Sequence, residues 1–466
     1  MKEISGVVLA AGEGKRMRSK HPKILHPLWG RPMVEYVLDV CEELSLAQVF
    51  LVIGHQAGRV KQALAHRSVD FVLQREQKGS GHALMQVEDQ LQNLRGDLLV
   101  LCGDIPLISQ EILQAMIRDH RKAKAAATIL TTHLEDPTGY GRVVRDSRGD
   151  LQDIIEEVDA NARQKGIQEV NTGIYCFALP TLFGTLQEIG CSNRQGEYYL
   201  PAVFALLRKK DLKVHVSFTP DWQKVMGINS REELSRALES LRWAKLKELM
   251  RQGVTILDPK STFIDTAAQI GRDTVIYPHS YIEGKTVIGE DCILYPGSRI
   301  LESKLGNGVT LFDHCLILQS EIADGSRIGP FAHLRPQSRI GKGAKVGNFV
   351  EIKKSEIGEG SKVPHLSYVG DSTIGKRVNI GAGSITCNYD GYEKHRTQIQ
   401  DGVFVGSNTL FVAPVKVGEG AIIAAGSVIT QDVPPRSLAV ARARQVNKED
   451  WAVAWHHRKK VPKHEP

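Results

Sequence analysis

The sequence predicts two domains of different class, an α/β sheet domain followed by an all-β coil, with a long helix between them. Three observations carry this. Strand-like and helix-like runs alternate over residues 1–228, one apolar residue recurs every six positions over 264–436, and a capping box opens a helical stretch at Ser230. The domains follow as 1–229, 230–252 and 253–466.

In the first segment the runs Ile4–Ala10, Val49–Ile53, Asp70–Leu73, Leu98–Cys102 and Thr128–Thr132 read as strands. The stretches 32–44, 80–94 and 109–123 between them carry helical spacing. Alternation of this kind implies a doubly wound, Rossmann-like, mostly parallel sheet, which binds ligands at the carboxyl ends of its strands. Ser230 and Glu233 then form a capping box. Leu234, Leu238, Leu241 and Leu249 line one face of the helix it opens, and Gly253 stops it. The first half of that helix reads equally well as a spacer or as docked on the sheet domain.

In the last segment Ile264, Ile270, Ile276, Ile282, Ile288, Leu294 and Ile300 keep a step of six. The count restarts at Leu305, Ile322, Ile357, Ile374 and Ile399. The residue four further on is small (Ala268, Thr274, Ser280, Thr286) and the residue after the anchor is often Gly. A period of six fits neither a helix nor a plain strand. It fits a flat strand plus a corner, the unit of a parallel β-helix in which stacked coils share one core. With strands about 4.8 Å apart, roughly nine three-sided coils would stand about 40–45 Å tall.

The net charge of +7 is dispersed until the tail His456–Lys463. That argues against nucleic acid as a partner and suits small anionic substrates. Seven Cys without CxxC spacing read as reduced core thiols of a cytoplasmic protein. No apolar run reaches membrane-spanning length, so no membrane insertion is expected.

Chemistry concentrates at the strand ends. Strand Ile4–Ala10 runs into Ala11-Gly12-Glu13-Gly14 followed by Lys15 and Arg16, a loop that could hold phosphate on backbone N–H groups and cations, or be an ordinary glycine turn. It is neither a Walker A loop nor GxGxxG, because Met17 stands where a third Gly belongs. Together with Pro22-Lys23, however, LAAGEGKRM resembles the signature of the sugar-1-phosphate nucleotidylyltransferases. The resemblance implies that Leu9, Ala10, Ala11 and Gly12 meet the nucleoside of UTP, and that Arg16 and Lys23 meet its phosphates. It extends to Gln74 with Gly79-Ser80-Gly81-His82-Ala83, and to Cys102-Gly103-Asp104, where the family commonly has Tyr before the Gly. Gly141, Glu156 and Asn171 would contact the sugar. Asp104 and Asn229 would hold Mg²⁺, a hard cation that takes oxygen ligands.

Within the coil a polar cluster (Arg335, Lys353, His365, Tyr368, Asn379) and a loop (387–398) break the pattern. Acyl transfer to an amine needs a group to take the amine proton, which histidine does best near neutral pH, and a phosphorylated acceptor needs Arg and Lys. The array resembles the left-handed β-helix of the hexapeptide-repeat acyltransferases, which implies a homotrimer with sites between neighbouring prisms. The stretches VGNFVEIKKS (346–355), HLSYVGD (365–371) and NIGAGSITCNYDG (379–391) are similar to the bacterial bifunctional N-acetylglucosamine-1-phosphate uridylyltransferase/glucosamine-1-phosphate acetyltransferases, and that resemblance covers essentially the whole chain. It implies His365 as catalytic base, Arg335 and Lys353 as a phosphate clamp, and Tyr368 and Asn379 as sugar contacts. Ala382, Asn388, Tyr389, Ser407, Ala425 and Arg442 would bind acetyl-CoA, with Arg444 an alternative to Arg442. The expected product is UDP-N-acetylglucosamine. Two rivals make the coil a regulatory appendage, as in the glucose-1-phosphate adenylyltransferases, or a trimerising scaffold; neither has a use for the cluster at His365. A third, a metal-dependent hydrase, wants closely spaced histidines.

Overall fold

A computed structural model describes residues 3–92 and 94–460; the last residues of the tail, 461–466, lie outside them. The chain divides into two compact units, Met1–Leu241 and Arg242–Pro466.

In the first unit nine strands form one sheet. They are β1 (Ile4–Ala10), β2 (Val49–Ile53), β3 (Asp70–Leu73), β4 (Asp97–Cys102), β5 (Ala127–His133), β6 (Arg142–Arg145), β7 (Leu151–Ile155), β8 (Glu169–Ala178) and β9 (Val214–Phe218). Their order is β9-β5-β8-β4-β1-β2-β3, with β6 paired to β8 and to β7. Strands β1, β2, β3 and β4 are parallel; the near-continuous apolar runs of β1, β2 and β4 are buried on both faces, whereas the edge strand β3 buries only Val72. The expectation of a mostly parallel sheet holds for this half and for β9 with β5, which are also parallel; the sheet as a whole is mixed. β8 is antiparallel to both β4 and β5, and β6–β7 is an antiparallel hairpin. The helical stretch expected over 80–94 splits into Ser80–Met85 and Glu88–Leu91, with Val87 fully buried between them.

The helix after Ser230 runs Arg231–Arg251. Its capping box forms as expected: Ser230 Oγ accepts from Glu233 N at 3.2 Å, and the Glu233 carboxylate accepts from Ser230 N at 2.9 Å. Leu234 and Ala237 pack against Met17, Leu28 and Met33, so the first half of this helix is docked within the first unit.

In the second unit the hexapeptides form three sheets of 11, 10 and 9 strands, each strand paired in parallel with its counterpart one coil on. The stack therefore holds about ten coils rather than nine. We call the sheets the first, second and third faces, beginning at Thr255–Ile256, Phe263–Ile264 and Gln269–Ile270. The anchors from Ile264 to Ile429 make one continuous core. The small residues at the corners are buried because their hydroxyls satisfy corner backbone groups. Ser355 Oγ, for example, donates to Lys353 O at 2.7 Å and accepts from Ser372 N at 2.9 Å.

The seven cysteines are unpaired. Cys41, Cys176, Cys292 and Cys315 are buried as expected of core thiols, whereas Cys191 is exposed on the loop between Leu186 and Ala202. Among the described residues no helix is long and apolar enough to cross a membrane.

Candidate active sites

The first site forms where β1 and β4 end side by side. Leu9 pairs with Cys102, and Gly103 N donates to Leu9 O at 2.9 Å, so the loop after Ala10–Ala11 and the Gly103-Asp104 turn share one edge. Gly14 has φ +68°, and a Cβ there would lie 2.6 Å from Lys23 Cβ; only glycine lets Lys23 cross beneath the loop. Gly12 is exposed, with open space where a side chain would be. Arg16 lies on the same loop, its guanidinium toward Gly139.

Lys23 Nζ donates to Asn229 Oδ1 at 2.7 Å and pairs with the Asp104 carboxylate. The two oxygens that the resemblance assigns to Mg²⁺ thus converge on one point that already favours a cation. Ile228 N donates to Asp104 O at 2.8 Å, which fixes the second ligand segment against the first. The donor set is oxygen only, which fits a hard divalent ion.

Gln74 is buried, and its Nε2 lies 3.2 Å from Gly79 O and 3.0 Å from His82 Nδ1. Gly79 is at φ +100°, where a Cβ would clash with Tyr198 O. Ser80 Oγ accepts from Leu200 N at 3.1 Å, so its hydroxyl holds the wall rather than pointing into the site.

On the sugar side a Cβ at Gly141 would lie 3.3 Å from Glu156 Oε1, and Asn171 N donates to Gly141 O at 2.9 Å. Gly141 just before β6, Glu156 just after β7 and Asn171 within β8 thus come together. Burial raises the Glu156 carboxyl above the usual range, helped by Asp159 and Glu197. Cys102 Sγ donates to Gly173 O, 3.4 Å away, filling the place expected for Tyr; burial pushes its thiol up to about 12, so it is neutral. Tyr140 is a candidate that motif reading missed: its hydroxyl points to Gly227 O at 3.5 Å, beside Asp104 and Arg16. It is the residue before Gly141, an aromatic between two glycines.

The second site is built by coil geometry. His365 ends the strand Lys362–His365 of the first face and is in register with Asn348 one coil earlier. Its Nδ1 is hydrogen-bonded to Asn348 Oδ1. Ala382, Ser407 and Ala425 occupy the same corner on successive coils, as the bonds from Gly383 N to His365 O, Asn408 N to Ala382 O and Gly426 N to Ser407 O show. The residues assigned to acetyl-CoA therefore make a track of small side chains leading away from His365. Arg442 Nη1 donates to Ala425 O at 3.0 Å and closes the far end of that track.

Around the corner the second face carries Arg335, Lys353 and Tyr368, which the resemblance assigns to the acetyl acceptor. Tyr368 is in register with Glu351, and Arg335 Nη1 donates to Glu351 Oε1 at 2.8 Å. Asn388 reaches the same place, its Nδ2 donating to the Asp371 carboxylate and lying 3.5 Å from the Tyr368 hydroxyl. The 387–398 loop folds back as a small hairpin with Tyr389 bridged to Lys394. Asp390 accepts from Tyr392 N and Glu393 N and pairs with His395 at 2.7 Å, which holds its carboxyl far below the usual range. Lys394 then faces Lys353 and, as the largest cause, lowers the Lys353 pKa. Lys353, Lys394 and Arg335, the last paired with Glu351, together suit an anionic ligand. Asn379 stands on the first face, in register with Lys362. Asn348, Glu351 and Lys394 were missed by the sequence reading, although Asn348 is one coil step before His365.

A glycine-rich phosphate loop on a parallel sheet, together with a histidine-bearing hexapeptide coil, defines a bifunctional transferase: a nucleotidyltransferase joined to an acetyltransferase. Residues 6–170 match the MobA-like NTP transferase domain, and 267–302, 319–354 and 396–431 match the bacterial transferase hexapeptide (six repeats). The chain is 48% identical to the bifunctional protein GlmU of Shouchella clausii over 96% of its own length and 98% of that protein's. It is 48% identical to the GlmU of Geobacillus sp. strain WCH70 over 96% of both, and 48% identical to that of Heliobacterium modesticaldum over 97% and 98%. The chain belongs to the bifunctional GlmU family, and its coil is the left-handed parallel β-helix of the hexapeptide transferases.

Proposed function

We propose that the chain makes UDP-N-acetylglucosamine in two steps. The coil acetylates glucosamine-1-phosphate with acetyl-CoA, and the sheet domain transfers UMP from UTP to the product, releasing pyrophosphate. The observation that carries this reading is that consecutive faces of the coil carry an oriented imidazole, His365 at the end of the first, and a set of cations, Arg335, Lys353 and Lys394, on the second.

In the first step the amine nitrogen attacks the thioester carbonyl while His365 Nε2 takes its proton, and the sulfur leaves as the CoA thiol. Tyr368 and Asn379 hold the sugar; Asn388, Tyr389 and the track from Ala382 through Ser407 and Ala425 to Arg442 hold the CoA. In the second step a phosphate oxygen of the sugar attacks the α-phosphorus of UTP and pyrophosphate leaves. Arg16 and Lys23 neutralise the phosphates and position them in line. Asp104 and Asn229 would hold Mg²⁺, which would supply neutralisation of phosphate charge, beside Lys23.

A homotrimer suits the coil. Phe404, Ile422 and Leu438 stack in register on the first face yet are 52%, 49% and 65% exposed, and Ile385 and Val428 are exposed on the second. Apolar ladders of this size fit burial against a second copy. The stacked indoles of Trp451 and Trp455 fit the same role for the tail. Anionic metabolite substrates and unpaired thiols favour a cytoplasmic setting. The test is a coupled assay in which glucosamine-1-phosphate, acetyl-CoA, UTP and Mg²⁺ are each omitted. Every omission should abolish UDP-N-acetylglucosamine, and product formed without acetyl-CoA would overturn the reading.

A further inference from the structure

The first face of the coil carries a ladder of like charge. Arg327, Lys345 and Lys362 are direct register partners on successive coils, so their side chains leave the same face about 4.8 Å apart. All three are exposed, and among the described residues none has a carboxylate within ion-pair distance. The corner leading into this face adds Lys342, Lys376 and Arg377. Asp324, Glu359 and Asp401 oppose them there; Glu359 is engaged with Lys376 at 3.7 Å, and Asp401 Oδ1 accepts from Lys376 N at 2.8 Å.

The fold does not require this. On the third face Lys304, Glu321, Arg339 and Glu356 are also in register, and there the charges alternate, with Arg339 reaching Glu321 at 3.7 Å and Glu356 at 3.5 Å. Like charges directly opposite one another destabilise a sheet, whereas alternating ones support it. The first face therefore carries a cost that the third avoids.

The ladder ends at the acetyl site. Lys362 opens the strand that His365 closes, and the next rung is Asn379. It is nevertheless separate from the anion clamp, which stands around the corner on the second face.

We propose that the Arg327–Lys345–Lys362 ladder is an electrostatic guide that draws anionic substrates, acetyl-CoA and the sugar phosphate, toward the His365 corner. It raises the rate of capture without taking part in the chemistry. A cleft or face of one sign raises association rates by roughly 10- to 1,000-fold at low salt, and the field is lost beyond a Debye length of about 10 Å at 0.1 M ionic strength. This inference rests on the acetyl-transfer reading above.

The experiment measures kcat and kcat/KM for each substrate against salt concentration in the full chain. The variants are Lys345→Gln/Lys362→Gln and Lys345→Glu/Lys362→Glu, with uridylyl transfer as the internal control. At low salt kcat/KM should fall about tenfold in the Gln pair and further in the Glu pair, with kcat unchanged. The fall should be larger for acetyl-CoA, the more highly charged substrate, and should vanish at high salt. Melting temperature should hold or rise in the Gln pair, because repulsion between rungs is relieved. Unchanged kcat/KM at low salt, a deficit that persists at high salt, or a dissociated or less stable Gln variant would overturn the proposal. Absence of acetyl transfer from the unsubstituted chain would instead sink the functional reading, and the guide with it.

Discussion

His365 Nδ1 and Asn348 Oδ1 stand on neighbouring coils, in register, and are hydrogen-bonded. A carboxamide oxygen can only accept, so Nδ1 carries the proton and Nε2 keeps the lone pair a base needs. Asn348→Ala frees the ring and the tautomer. Acetyl-transfer kcat should fall about 10- to 100-fold with both KM values little changed. Asn348→Asp keeps an acceptor and adds a negative charge, which favours the imidazolium. The acid limb of the pH–rate profile should therefore move to higher pH, and stopped assays across pH check both outcomes.

Lys353 is held below its ordinary pKa chiefly by Lys394. A folded-state pKa lowered for a lysine means that the ammonium pair costs stability at neutral pH and that the cost lapses at alkaline pH. A bound phosphate relieves the repulsion. Lys394→Ala should thus raise the KM for glucosamine-1-phosphate about tenfold while leaving that for acetyl-CoA nearly unchanged. Its melting temperature should not fall, because a repulsion has been removed.

The cation point between Asp104 and Asn229 is filled by Lys23 Nζ. In Asp104→Asn one charge of the pair is gone. Uridylyl transfer should drop by at least about a hundredfold, and Mn²⁺ binding, read by electron paramagnetic resonance, should weaken. Acetyl transfer should be unaffected.

Gly14 combines φ +68° with a Cβ position 2.6 Å from Lys23 Cβ. Gly14→Ala should lower stability by about 1–2 kcal/mol and displace Lys23. Thermal unfolding should show the first, and a lower uridylyl kcat/KM the second.

Most of the parallel half of the sheet was legible. Val49–Ile53 and Asp70–Leu73 are short apolar runs that the structure makes into strands with the same bounds. The coil was legible because its period is rigid: each anchor must face one shared core. The antiparallel β8 was not, because Asn171, Thr172 and Gly173 at its centre look like a turn while the strand bulges between Asn171 and Tyr175. At the sites, residues carried by motifs were legible. The partners that orient them were harder to see, since Asn348, Glu351 and Lys394 become neighbours of His365, Arg335 and Lys353 only once coils stack and the loop folds back.

The central claim is that two chemically independent sites act in series on one chain. It is tested most directly by mixing His365→Ala protein with Asp104→Asn protein and supplying glucosamine-1-phosphate, acetyl-CoA, UTP and Mg²⁺. Each variant alone should make almost no UDP-N-acetylglucosamine, and the mixture should make it after a lag while N-acetylglucosamine-1-phosphate builds up. A mixture as inactive as its components, with both proteins folded, would contradict the account.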